Sequence, residues 1–398
     1  MENPRIRWLQ AYPVVSEGKE MIVLSDDEGI VENSFVVSKD TLFLISLMDG
    51  TRSLRDIQTE YMRTYGQLIY LERLEEIVTA MDNNFLLLNE NYRSRLARLK
   101  MEYEGSPVRK SALAGRSYPE NRMDLLMQLD EMFKTAREVK PNGEIRAILA
   151  PHIDYARGIE VYRETYGYMK HVEKPLLVIF GTCHRPTEKI LSISLKDFET
   201  PLDVVPTPRD LSALIRDNDL LRDYIDEWPH RNEHSIELQL PLIQFNTQDD
   251  FEILPILTGS MHEYIKGEKS IDDDLLSELV ENLRTVLTRY GKPYIIIAGA
   301  DLAHIGAQFG DPLPLDAMAL AASKVKDEEI LACIREANAR AFFDAVKSES
   351  DARRICGLTP IYFQLRFVEG STAEIVGYKQ WTDGRSSVSF AGAVFRNY

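Results

Sequence analysis

From residue 145 onward the chain alternates short apolar runs with amphipathic stretches, and this alternation constrains the fold more than any other feature. Residues 145–149, 176–180, 251–257 and 294–298 are rich in Ile, Val and Leu and are strand-like in length. Between and around them, residues 122–137, 211–227, 274–290 and 329–346 carry apolar side chains at helical spacing. Strands that are apolar on both faces must be covered on both faces. The pattern therefore predicts an α/β domain with a central, largely parallel sheet flanked by helices. Residues 388–395 are expected to close that sheet as a late strand.

The first ninety residues have a different texture. Met21-Ile-Val-Leu and Ser34-Phe-Val-Val flank the turn-rich Asp26-Asp-Glu-Gly, which predicts a hairpin over 20–37. Three short helices should come next: 41–48, stopped by Asp49-Gly50; 54–65, with Ser53 as N-cap; and 70–82. Phe85-Leu-Leu-Leu reads as a buried strand. The expected organisation is a small α+β module over 1–95, a charged linker of helical character over 96–110, and the α/β domain over 111–398.

Charge and cysteine usage exclude several roles. Acidic residues outnumber basic ones, 63 against 47, giving a net charge of −16. A surface of that sign repels phosphate, so neither nucleic acid nor an anionic membrane is an expected partner. No apolar run approaches the ~18 residues a membrane span needs. Met-Glu-Asn-Pro-Arg does not lead into an apolar signal core. The cysteines, Cys183, Cys333 and Cys356, are too few and odd in number for a disulfide framework. A reducing cytoplasm is the expected compartment.

The residues at the carboxyl ends of the strands suggest chemistry. The first strand leads into Ala150-Pro-His152-Ile-Asp154-Tyr155, the second into Gly181-Thr-Cys183-His184, and the fourth into Gly299-Ala-Asp301-Leu-Ala-His304. In open parallel sheets, ligands sit beyond those ends. His234, in Glu233-His-Ser-Ile-Glu237-Leu-Gln239-Leu-Pro241, can join the same crevice, with Glu237 one helical turn further on. Imidazole is the commonest metal ligand, and neighbouring carboxylates fix its tautomer. Asp154 and Asp301 stand close enough in sequence to ligate or to orient. His171, His230 and His262 carry no motif and are expected at the surface. Tyr155 and Arg157 are candidates for the pocket mouth. No paired short ligand motif is present, so spacing alone points to a common site and does not specify a metal.

Two resemblances extend this reading. Residues from about 111 to 398 resemble the Memo family, whose prokaryotic members are called AmmeMemoRadiSam system protein B. The matching segments are Ala112-Leu-Ala-Gly115-Arg-Ser-Tyr118-Pro119, Ala150-Pro-His152, Gly181 to His184, Glu233-His-Ser-Ile-Glu-Leu-Gln-Leu-Pro, Asp301-Leu-Ala-His304, Ile355-Cys356-Gly357 and Ser386-Ser-Val-Ser-Phe-Ala-Gly, in that order. Leu358-Thr359-Pro360 stands where an Arg-containing segment is expected. The front module resembles the small winged-helix modules that hold peptides in radical-enzyme maturation. The segments that carry this likeness are Leu47-Met-Asp-Gly-Thr, Leu54-Arg-Asp-Ile and Asp82-Asn-Asn-Phe-Leu.

The Memo family is similar in fold to the class III extradiol dioxygenases, non-haem iron enzymes with two histidines and a carboxylate on the metal. The resemblance implies His152 and His184 as imidazole ligands and Cys356 in place of the carboxylate. It also implies His304 as general acid/base, with Asp301 orienting it or lending a ligand, and His234 lining the pocket. A thiolate moves preference towards iron or copper in a different redox poise, with zinc possible. The implied function is a metal-dependent redox protein or oxidoreductase acting with a radical SAM enzyme and an AMME-domain protein, with a possible peptide at the front module. Two alternatives stay open: a nonenzymatic peptide- or metal-binding protein using the same crevice, and a zinc-dependent hydrolase.

Overall fold

The computed structural model describes residues 3–16, 19–26, 28–31, 34–136, 143–172, 176–185, 187–247 and 250–396. The chain divides into two compact units, Met1–Ser106 and Pro107–Tyr398.

In the first unit, β1 (Gln10–Ser16), β2 (Lys19–Ser25) and β3 (Phe35–Ser38) form an antiparallel sheet in that order. Four helices come after it: α1 (Lys39–Ser46), α2 (Leu54–Tyr65), α3 (Leu71–Asn83) and α4 (Glu90–Gly105). Ser53 caps α2 as expected, in a reciprocal capping box with Asp56. The core joins Ile22 and Leu24 of the sheet to Ile45, Ile57, Leu74 and Val78 of the helices and to Met48 just after α1. The expected hairpin forms, β2 pairing antiparallel with β3, and it gains a strand, β1, that the sequence pattern did not announce. One expectation fails here. Phe85-Leu-Leu-Leu is not a strand: Leu86 and Leu87 are buried as expected, but Leu87 makes only an isolated bridge to Ile6. Phe85, with φ 55°, turns the backbone out of an extended path. The joining segment is helical as expected: α4 covers most of it and buries Tyr92 and Leu99.

In the second unit, a two-residue strand β4 (Val108–Arg109) pairs with β8 (Asp197–Glu199), which pairs with β9 (Val204–Val205). The main sheet comprises β5 (Ile145–Ala150), β6 (Leu176–Thr182), β7 (Leu191–Ile193), β10 (Glu252–Thr258), β11 (Tyr294–Gly299), β12 (His304–Gly306), β13 (Thr372–Thr382) and β14 (Ser386–Arg396). Its order is β12-β14-β5-β11-β6-β10-β7, with β13 also paired to β14. The four central strands β5, β11, β6 and β10 are mutually parallel, and β14, β12 and β7 extend the sheet antiparallel. Each central strand is buried along almost its whole length. That is why its sequence runs apolar instead of alternating.

Helices α5 (Arg122–Phe133), α6 (Tyr155–Tyr166), α7 (Arg209–Arg216), α8 (His234–Glu237), α9 (Gln239–Asn246), α10 (His262–Lys266), α11 (Asp274–Tyr290), α12 (Ala317–Arg335), α13 (Ala339–Ser348) and α14 (Leu358–Phe367) connect the strands. They bury the sheet between two apolar layers, one containing Leu283, Phe343 and Phe363, the other Leu129, Tyr162 and Leu240. The amphipathic run expected over 329–346 is not one helix. Ala337, at φ 48°, ends α12, and Asn338 caps α13 by accepting from the Ala341 N–H. Likewise only 211–216 of the run expected over 211–227 is α-helical, as the end of α7; short 3-10 turns come after it. Among the described residues, no helix is long and apolar enough to cross a membrane.

Candidate metal centre

Strand register places the site. Gly299 at the end of β11 lies level with Ala150 of β5 on one side and Gly181 of β6 on the other. The chain beyond these three neighbours carries His152, Asp301 and His184, which therefore emerge at one edge of the sheet. Two further segments are drawn to the same edge. The Cys356 loop is tied there by the Thr182 hydroxyl, which donates to the Cys356 carbonyl (2.9 Å), and by the Gly357 N–H, which donates to the Asp301 carbonyl (3.0 Å). Helix α8 is tied by the Ser235 hydroxyl, which donates to the Thr182 carbonyl (2.8 Å). Glycine is required for this closeness. A Cβ at Gly299 would stand 2.5 Å from the Ser235 carbonyl oxygen, and one at Gly357 would stand 2.4 Å from that of Asp301.

His152, His184 and His234 meet at this edge, with one ligand nitrogen from each within 4.8 Å of the others. Their ring centroids are 5.0 Å (152–184), 5.2 Å (152–234) and 4.5 Å (184–234) apart. His152 is buried, whereas His184 and His234 reach the surface. Donors on one tetrahedral ion at ~2.0–2.1 Å lie about 3.3 Å apart, so modest side-chain rotation would close the set around a metal.

The hydrogen-bond partners decide which nitrogen each ring presents. His152 Nδ1 lies 2.9 Å from the Gly299 carbonyl, which can only accept, so the neutral ring carries its proton on Nδ1. Burial, reinforced by the neighbouring His184 and His234, pushes its pKa well below the ordinary histidine value and keeps it neutral. Its Nε2 lone pair then faces the Cys356 sulfur at 3.2 Å, and the thiol donates to it. Burial, with the Asp301 carboxylate nearby, raises the Cys356 thiol well above its ordinary value. A proton thus occupies the line between sulfur and imidazole that a metal ion would take over.

Glu233 is the residue that sequence reasoning missed. Its buried carboxylate caps α8, accepting from the N–H groups of His234 (2.8 Å) and Ser235 (3.1 Å), and from the N–H of His184 (2.9 Å). The same group lies 3.0 Å from His184 Nδ1 and 3.0 Å from His234 Nδ1. Burial opposes its ionisation, but the two imidazoles hold its pKa well below the ordinary carboxylate value. His234 is pushed the other way: burial lowers it, yet the Glu233 charge raises it overall. The only signal in the sequence was an acid directly preceding His234, a pattern too common to single out.

The remaining expected residues take varied places. Asp301 belongs to His152 more than to His304. Its Oδ1 accepts from the His152 N–H (2.9 Å), and its Oδ2 is 3.8 Å from His152 Nε2. Burial raises its pKa to about 7. His304 turns Nδ1 towards the carbonyls of Leu302 (3.1 Å) and Arg354 (3.2 Å) and stands edge-on to Phe309, so Asp301 does not orient it as expected. Burial lowers its pKa to about 4. Asp154 is neither ligand nor orienting group; it caps α6 and pairs with Arg157 at 2.8 Å. Tyr155 is buried and donates to the Leu238 carbonyl, while Arg157 stacks over Trp381 at 4.0 Å. Glu237 turns away from the histidines into a buried ion pair with Arg109. His230, expected at the surface, is buried with Nε2 2.9 Å from the Ser192 carbonyl, and burial takes its pKa down to about 3. His262 is exposed as expected, and the side chain of His171 lies outside the described part of the structure.

The family model for Memo-like proteins matches residues 109–394. A MEMO1 family protein of Aquifex aeolicus is 27% identical over 402 residues, spanning 99% of this chain and 100% of its own. One from Thermus thermophilus is 30% identical over 271 residues, 66% of this chain and 74% of that protein. A third, from Methanosarcina barkeri, is 26% identical over 274 residues, 68% of this chain and 92% of its own.

Proposed function

Because this chain belongs to the Memo family, we propose that its second unit is a transition-metal centre of redox character, held by His152, His184 and Cys356. The observation that carries this reading is the convergence of imidazoles and a thiol from separate loops at one sheet edge. The donor set fits a metal by its chemistry. Borderline nitrogen and soft sulfur suit iron, copper or zinc, and a thiolate favours a redox poise different from that of the two-histidine, one-carboxylate iron enzymes. Iron or copper, when bound, would supply one-electron chemistry; zinc would not.

The protein's own groups have separable tasks. The Gly299 carbonyl and the Glu233 carboxylate set the tautomers of the rings, so that Nε2 of each is the nitrogen presented. Cys356 must lose its proton for metal to bind, and His152 Nε2 already accepts that hydrogen bond. His304, with Nδ1 committed to carbonyls, offers Nε2 as a general acid/base to a substrate at the same edge. In this reading the protein is an oxidoreductase working beside a radical SAM enzyme and an AMME-domain protein in the cytoplasm, with the first unit as the place for a peptide.

The test is metal analysis of protein purified without oxygen, then oxygen uptake with catechol and thiol substrates. Stoichiometric iron or copper and substrate-dependent oxygen consumption are expected. Zinc alone, with no oxygen consumed, would overturn the redox assignment and leave a metal-holding or hydrolytic protein.

A further inference from the structure

We infer that His234 is itself a metal ligand, oriented by a carboxylate, Glu233, that it shares with His184. This makes the centre a four-donor site of three imidazoles and one thiolate, and it rests on the metal-centre reading above. Family resemblance places His234 only along the pocket wall. The geometry gives it a more definite role, because its ligand nitrogen belongs to the same mutual group as those of His152 and His184.

The bifurcated carboxylate is the decisive feature. Glu233 Oε1 stands 3.0 Å from Nδ1 of both rings, and the two rings lie nearly parallel, 23° apart at 4.5 Å between centroids. Both Nδ1–H groups donate to that one oxygen, so both Nε2 atoms are directed away from it. Glu233 cannot turn aside: its two oxygens also accept from the N–H groups of His184, His234 and Ser235, which tie it to the strand loop and to the start of α8. Two rings held as one unit by a buried anion form a preorganised bidentate nitrogen arm. His152 Nε2 belongs to the same group of nitrogens, and the Cys356 sulfur, 3.2 Å from that nitrogen but outside the mutual group, would swing in as the fourth donor.

Four protein donors change what the centre is suited to do. A site with three ligands keeps a position for water or substrate, whereas a closed four-ligand site holds its ion or passes electrons. Three nitrogens and a thiolate make a softer set than the two-histidine, one-carboxylate site of the ring-opening oxygenases, one that suits copper and also accepts iron or zinc. Glu233 acts here as a positioning residue, because it touches the rings and not the ion.

Co(II) added to the full-length apoprotein is the probe, read by visible absorption. Wild type is expected to give an intense tetrahedral d–d band together with a thiolate charge-transfer band. His234→Ala should lose d–d intensity, keep the charge-transfer band, and bind Co(II) about 100-fold or more weakly, as expected for loss of one of four ligands. Glu233→Gln should bind roughly 10–100-fold more weakly, the range for orienting partners. Should the apo His234→Ala variant be unfolded by circular dichroism, His234→Gln and Glu233→Gln decide the matter by the same bands. Unchanged affinity and an unchanged d–d band in the folded variants would overturn the assignment of His234 while leaving the metal centre intact. Failure of the wild type to take up Co(II) would bring down both.

Discussion

His152→Ala is expected to abolish stoichiometric metal uptake, leaving less than about one tenth of an equivalent at micromolar free metal. Of the candidate ligands it is the most buried, and its ring is fixed by the Gly299 carbonyl. It also contacts the sulfur directly at 3.2 Å. Structural zinc sites with four ligands bind with roughly 10–16 kcal/mol in total. One ligand then contributes about 3 kcal/mol, or 10²-fold and more in affinity. The loss should be larger for His152 than for a peripheral donor, because its ring is buried and held by the Gly299 carbonyl and so is preorganised for the ion. Metal analysis after equilibrium dialysis, beside the thermal melt of the metal-free variant, separates lost ligation from lost fold. Full metal occupancy in His152→Ala would remove this residue from the site.

Glu237→Ala should destabilise the second unit by about 3–5 kcal/mol, the range for breaking a fully buried ion pair from one side. Glu237 and Arg109 are both completely buried, and the carboxylate also accepts from the Ser111 hydroxyl (3.0 Å), the N–H groups of Ala112 (3.0 Å) and Leu113 (2.8 Å), and the Tyr118 hydroxyl. Arg109 in turn donates to the carbonyls of His230 (2.7 Å) and Glu233 (2.9 Å). This network therefore fastens the segment 109–118 to the turn that carries Glu233 and His234. A double replacement, Arg109→Met with Glu237→Leu, should recover only part of the loss, because two backbone N–H groups would still lack their acceptor. The effect also has a defined pH dependence. Burial opposes ionisation of Glu237, but Arg109 and the surrounding donors hold its pKa below the ordinary value. Its stabilisation is thus complete above the unfolded-state value of ~4.3 and is lost as pH falls through the folded-state value. Glu237→Gln should flatten that acid limb in urea titrations. An unchanged urea midpoint for Glu237→Ala at pH 7 would show that the pair is not coupled to folding.

Much of the architecture was legible because burial on both faces leaves a plain mark. The central strands announce themselves as runs such as Leu176-Leu-Val-Ile-Phe, and α11 occupies the span its periodicity predicted, Asp274–Tyr290. Signals of a single residue were less secure. Asn338, a good N-cap, splits a run that periodicity read as one helix, and Phe85 turns a stretch that composition read as a strand. At the site, the strand-end histidines were readable because chain direction in a parallel sheet dictates where they emerge. Register, which sets Ala150, Gly181 and Gly299 level, was not readable. Neither were the partners that the register selects: Asp301 faces His152 instead of His304, and Glu237 faces Arg109 instead of the pocket. Glu233 stayed hidden for the same reason. Its role depends on two rings, from residues 184 and 234, arriving within 3.0 Å of one oxygen.

X-ray absorption at the metal edge, on protein prepared without oxygen, reads the ligand atoms themselves. One sulfur at about 2.3 Å with nitrogen neighbours near 2.0–2.1 Å, the sulfur shell vanishing in Cys356→Ser, is the predicted result. A first shell of nitrogen and oxygen alone, identical in wild type and Cys356→Ser, would contradict it.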